Sequence, residues 1–237
     1  MKKPRTKIYI KISPEESKIV YSGIEFSEFI EFLPKPIENI LLIEGDYWGN
    51  KQAHNFELLE GREIENLAKE DVYSFGNFSF VDYAHTAAVN GLSNQQVAEL
   101  LYLAHAARPL SSPFFAPLEN RFAYLAHDDG WYCKLYCRDL RDFTPVLLGK
   151  IMARAGIVAG ICSDVISDKL ISLAKTGMLI DLEEMVCAEG TITVELYTVG
   201  EYSNMDDVLN NFERLKANAA QISSLRFAGN EYIVLDK

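Results

Sequence analysis

The sequence predicts an α+β protein of mainly antiparallel sheets with packed helices. Three observations carry this. Residues 121–139, RFAYLAHDDGWYCKLYCRD, read as two strands around a polar Asp-Asp-Gly turn. Lys7–Ile12 and Thr191–Val199 alternate apolar and polar residues with the period of a strand. Strand-like and helix-like stretches do not alternate regularly, which disfavours a doubly wound parallel sheet.

The elements follow in order. Lys7–Ile12 sets Ile8, Ile10 and Ile12 on one face, and Lys18–Ile24 is a second strand paired with it across a turn at Ser13–Glu16. Glu25–Leu33 is a short helix presenting Phe26, Phe29, Ile30 and Leu33, stopped by Pro34 and Pro36. Asn39–Asp46 is a buried strand, Tyr47–Glu60 a loop, Arg62–Lys69 a helix and Phe78–Tyr83 a strand. Ser93 and Gln96 form a capping box ahead of a helix burying Val97, Leu100, Leu101 and Ala104. After the hairpin, Thr144 caps a helix with Pro145 at its first position. Phe143, Leu147, Ile151 and Ala155 line one side of that stretch.

Gly156 and Gly160 flank an apolar connector, so the chain reads as two units, residues 1–156 and a smaller 157–237. In the second, Asp164–Lys175 is a helix ended by Gly177, and Leu179–Ala188 fits helix or strand. Thr191–Val199 points Ile192, Val194 and Leu196 inward. Asn204 caps a helix over Met205–Ala219, with Asp206 and Asp207 in its first turn and Val208, Phe212, Leu215 and Ala219 as its stripe. Ser224–Ala228 and Glu231–Leu235 close the chain as a hairpin across Gly229-Asn230.

The central hairpin has a register of its own. With Asp128-Asp129-Gly130 as a three-residue loop, His127 faces Trp131, Leu125 faces Cys133 and Ala123 faces Leu135, giving one mostly apolar face. Tyr124 then faces Lys134 and Phe122 faces Tyr136. A slip of one residue sets Leu125 against Lys134 and loses that pattern. Cys133 and Cys137 share a strand, about 13 Å apart at the strand rise. A disulfide needs less than about 7 Å, so the pair is neither a bridge nor a zinc clip. With Cys162 and Cys187, buried and reduced thiols are expected.

The chain has 237 residues, 49% hydrophobic and 24% charged, enough for a sizeable core. Its net charge is -11, which repels phosphate backbones, so nucleic acid is not expected as a partner. The same charge attracts a basic protein. The N-terminus is basic but has no signal-peptide apolar core, and no run approaches the roughly 18 apolar residues of a membrane span. A cytoplasmic protein is expected.

The chemistry-bearing residues are few. His127 at the mouth of the hairpin turn, beside Asp128 and Asp129, has the parts of a general base with an orienting carboxylate. A turn rich in Asp and Gly for backbone reasons explains the same residues. Glu44 and Asp46 fall at one strand end, Asp82 and His85 at another. Together with His127 they could ligate a divalent ion if those ends converge. Their spacing matches no ligand signature, and no metal or cofactor is expected. His105, near its helix end beside Arg108, suits the helix dipole, and His54 lies in a polar loop. Trp48, Phe114, Phe115 and Trp131 lie outside helical stripes and are candidate partner-binding aromatics, with core packing as the alternative. The P-loop, the dinucleotide fingerprint, the nucleophile elbow, the zincin motif and CxxC are all absent.

The opening MKKPRTKIYIKISPEESKIVYSGIEF, QQVAELLYLAHAA, NRFAYLAHDDGWYCKLYCRD and GEYSNMDD resemble segments of a group of uncharacterised small bacterial proteins, some of which carry the label oxalate:formate antiporter. The resemblance implies a bacterial cytosolic origin. An antiporter crosses a membrane many times, which this chain has no segment to do. The expected function is a non-enzymatic protein-binding module, of an inhibitor or immunity type, whose partner carries a basic patch. The alternative is a hydrolase with an acid–base or metal site around His127, Asp128 and Asp129.

Overall fold

A computed structural model describes residues 6–13, 18–44, 55–75, 78–127, 132–157, 167–202, 205–228 and 231–236. The chain opens with β1 (Lys7–Ser13), β2 (Lys18–Ser22) and α1 (Phe26–Phe32). Next come β3 (Asn39–Glu44), β4 (Asn55–Glu60), α2 (Arg62–Leu67), β5 (Phe78–Asp82), α3 (Thr86–Asn90), α4 (Asn94–Ala106), β6 (Phe122–His127) and β7 (Tyr132–Cys137). The remainder is α5 (Leu140–Arg154), α6 (Asp168–Thr176), β8 (Met178–Asp181), β9 (Val186–Ala188), β10 (Thr191–Thr198), α7 (Met205–Asn210), α8 (Phe212–Ala217), β11 (Gln221–Ala228) and β12 (Glu231–Asp236). The described strand pairs are antiparallel, and helices pack on the sheets, so the α+β class holds. No described helix is long and apolar enough to cross a membrane.

Two compact units form, and their division differs from the expected one at 156/157. One is residues 35–138; the other joins residues 1–34 to 139–237. The reason is strand pairing. β1 pairs with β2 on one side and with β8 on the other, Ile8 opposite Ile180 and Tyr9 opposite Leu179. A glycine-flanked connector marks a change of element, but sheet partners decide which unit a segment joins.

In the composite unit the strand order is β12-β11-β10-β8-β1-β2, with β9 also on β10. The ambiguous stretch 179–188 therefore holds two short strands. Ile8, Ile10, Val194, Leu196, Leu225 and Phe227 are buried, as their alternation requires. α1 lies against α5: a Cβ at Gly149 would run into the Phe32 ring, and Lys150 Nζ lies 2.7 Å from Glu28 Oε1 in a largely buried ion pair. α5 starts earlier than expected. Its cap is Asp139, which accepts from Arg141 N, and Pro145 lies inside. Pro145 is the sixth residue of α5, where its missing N–H costs the helix one bond, to Arg141 O, so it does not mark the first position. Thr144 instead donates its hydroxyl to Leu140 O. The expected helix 205–219 breaks into α7 and α8 at Asn211, whose side chain donates to Asp207 O and competes with the helical ladder. Gly177 ends α6 at φ 101, where its Cα faces the Gly200 carbonyl too closely for a side chain.

In the central unit the order is β7-β6-β5-β3-β4. The capping box is present: Ser93 Oγ accepts from Gln96 N, and Gln96 Oε1 accepts from Ser93 N. β4 falls within the segment expected to be loop. Its sequence, NFELLE, alternates poorly, and pairing with β3 makes it a strand.

The hairpin β6–β7 forms, but one residue away from the expected register. Leu125 pairs with Lys134, Tyr124 with Leu135 and His127 with Tyr132, leaving a four-residue connection. The expectation assumed one greasy face and one wet face. All of β7 is buried, so hydrophobicity cannot choose between the faces. Polar groups are satisfied singly instead: Lys134 Nζ donates to Ala107 O at 2.9 Å, and the Tyr73 and Tyr124 hydroxyls share a hydrogen bond of 2.8 Å. Cys133 and Cys137 are buried free thiols on one strand; Cys187 is free but exposed, contrary to expectation.

Candidate functional site

The central unit's sheet decides which candidates meet. β3 and β5 are antiparallel, with Ile40 opposite Asp82 and Leu42 opposite Phe80. Glu44 and Asp82 are therefore at opposite ends of their strands, about 13 Å apart along the sheet. β5 and β6 pair Phe78 with Ala126, so the His127 backbone shares Glu44's end, away from Asp82. The rim that would have gathered Glu44, Asp82, His85 and His127 does not form. Among the described residues no three His, Cys, Asp or Glu side chains are placed to hold a metal ion.

The other candidates separate as well. His85 precedes α3 as an exposed cap, and His105 is exposed in the last turn of α4. Asp46, Trp48, His54, Asp128, Asp129, Trp131 and Cys162 lie outside the described residues, as does the His127 side chain. Phe115 is buried, its N–H donating to Asn120 Oδ1, which removes it from the expected binding surface. Phe114 is half-buried, with the Arg138 guanidinium 4.7 Å from its ring centre.

Asp82 is the candidate that the structure builds something around. It ends β5, and its Oδ1 accepts from the N–H groups of Arg121 and Phe122 at 2.9 and 2.6 Å. Its Oδ2 lies 3.6 Å from Arg121 Nε. Burial raises its pKa to about 6, against the opposing pull of the Phe122 N–H and the Arg121 charge. At neutral pH the carboxyl is still mostly ionised.

A cleft of about 250 Å³ opens over Asp82, lined by Lys35, Glu38, Asn39, Tyr83, Glu119 and Arg121, among others. Asn39 Nδ2 donates to Tyr83 O and Ala84 O, fixing the chain as it leaves β5. Tyr83 and Thr86 donate their hydroxyls to Glu60 Oε1 at 3.4 and 3.3 Å, which brings the end of β4 to the mouth of the cleft. Glu63 Oε2 accepts from Glu60 N. Glu119 stands at φ 52, with its N–H turned to Phe115 O and Ala116 O.

Five carboxylates, those of Glu38, Glu60, Glu63, Asp82 and Glu119, thus stand in or beside a cleft whose lining cations are Lys35 and Arg121. Beyond it, Glu57, Glu65, Glu70 and Asp71 are exposed along β4 and α2 and just after it, outnumbering exposed Arg62 and Lys69 of the same stretch. Such a place favours a cationic group and disfavours an anionic one. Only Asp82 was visible beforehand, as a polar residue at a strand end. The rest come from three separate stretches of chain, at Glu38, at Glu60 with Glu63, and at Glu119, which no spacing in the chain connects.

Fold and site define an α+β protein with an acidic cleft at one end of a five-stranded sheet. None of the family models, curated proteins or solved structures compared with the chain matches it.

Proposed function

We propose that the protein is a cytoplasmic, non-enzymatic protein-binding module, of an inhibitor or immunity type, and that the cleft over Asp82 with the β4–α2 face receives a basic patch of its partner. The observation that supports this reading is the excess of carboxylates around one open cleft. The overall charge of -11 adds long-range attraction for a basic protein and repulsion of nucleic acid.

The test is a titration with a lysine- and arginine-rich peptide and an uncharged peptide of equal length, at low and high salt. The basic peptide should bind, and binding should weaken about tenfold as salt screens the rim. A Glu38→Gln, Glu60→Gln, Glu119→Gln variant should lose about as much at low salt. Equal binding by variant and parent would remove the cleft from the reading. No binding of the basic peptide at low salt would remove the reading itself.

A further inference from the structure

Asp82 commits one of its two oxygens to the fold. Oδ1 takes the N–H groups of Arg121 and Phe122, while Oδ2 lies 3.6 Å from Arg121 Nε, beyond hydrogen-bond reach. A charged oxygen with spare lone pairs, on a side chain only 8% exposed, is costly until a donor meets it. Asn39 offers a second acceptor. It spends Nδ2 on Tyr83 O and Ala84 O, and its Oδ1 accepts no hydrogen bond among the described residues. Both side chains line the cleft, and every stretch that forms it, residues 35–39, 82–84, 119 and 121, is described. The charge of the lining is uneven by one. Glu38, Asp82 and Glu119 stand against Lys35 and Arg121, so a single added cation makes it neutral. Pro36, Ile37 and Ala84 add apolar wall.

We propose that the cleft receives one arginine side chain of the partner, its guanidinium meeting Asp82 Oδ2 and Asn39 Oδ1 and its stem lying along the apolar wall; this rests on the reading of the cleft as the site for a basic patch. The acceptors come from separate segments: Asn39 starts β3, Asp82 ends β5, and Glu119 lies just before β6. A guanidinium spreads five N–H donors in a planar fork and reaches acceptors on more than one segment, where an ammonium is a compact point. It is also more weakly hydrated, so drawing it into a partly apolar cleft of about 250 Å³ costs less. Its aliphatic stem covers the surface that Pro36, Ile37 and Ala84 present. Arg121, already beside Asp82, repels the guest, and the Glu38 and Glu119 carboxylates offset that repulsion. A run of cations finds no such balance inside the cleft, so the rest of the basic patch stays on the outer β4–α2 face.

Two peptides of equal length and charge test this, one with arginine at every basic position and one with lysine, each titrated calorimetrically into the full chain at low salt. The arginine peptide should bind about tenfold more tightly. Asp82→Asn should bring the two to within about twofold, with an unchanged circular dichroism spectrum. The amide keeps an acceptor for the Arg121 and Phe122 N–H groups and puts a donor in place of Oδ2. The comparison on the parent chain needs no variant to fold. Equal affinity for the two peptides would overturn the arginine proposal and leave the basic-patch reading standing, whereas binding of neither would overturn both. A tenfold preference that survives in the folded Asp82→Asn chain would overturn the proposal too, because it would not come from this carboxylate.

Discussion

β4 and β12 both end a sheet, yet they are made of opposite material. β4 carries Glu57 and Glu60, α2 follows at once with Glu63 and Glu65, and its one well-exposed aliphatic residue is Leu58, 38% exposed. β12 keeps its acids at its two ends and shows isoleucine and leucine between them. An edge is a row of unmet backbone groups, and its side chains decide what is admitted to it. Carboxylates along β4 repel an acidic surface and favour a cationic group, whereas the aliphatic pair on β12 adds no charge to the middle of its strand.

The largest expected effect is on the charge beneath the acidic end. Asp82 has a pKa of about 6 in the folded chain against 3.8 as its ordinary value. Between pH about 4 and 6 the folded chain holds a proton there that the unfolded chain has released. Stability from this group is therefore highest below that window and falls as pH rises through it, by about 3 kcal/mol in all. Asp82→Asn keeps an acceptor for the Arg121 and Phe122 N–H groups and should flatten that slope. Denaturant midpoints of both proteins at several pH values measure it, and parallel curves would refute the assignment.

Salt gives a smaller effect but the sharpest contrast. Raising ionic strength from about 0.05 to 0.5 M should weaken basic-peptide binding about tenfold, because screening removes the attraction. Binding indifferent to salt would break the comparison. The smallest effect is expected at β4 itself. Glu57→Ile makes that edge more like β12 and should produce weak self-association, visible as a rise in weight-average mass at high concentration.

Legibility in the sequence followed how local each cause was. The capping box at Ser93 and Gln96 is contained within four residues, and it formed as read. β1, β10 and the pairing of β11 with β12 likewise come from short-range patterning. The start of α5 went wrong because its cap is Asp139 and the helix gives up one bond at Pro145, so the residue that looks decisive is not. The hairpin register went wrong because alternation informs only when one face meets water, and β7 meets none. The same failure of a local rule hid β4. The cleft was hidden more completely: Lys35, Glu60, Asp82 and Glu119 have no common motif, the pairings of β3 with β4 and of β5 with β3 and β6 assemble them, and the antiparallel β3–β5 register sends Glu44 to the far end.

The amino-acid order alone determined the class of fold, most of its strands and helices, the in-line placement of Cys133 and Cys137 and the acidic character, since each depends on neighbours a few bonds away or on a sum over the chain. Which strands adjoin, which unit the first 34 residues join, how β6 meets β7 and which carboxylates share a cleft were decided only by tertiary structure. Those outcomes depend on competition among distant segments for the same hydrogen-bonding edges and the same buried volume, and no short stretch of residues contains the result of that competition.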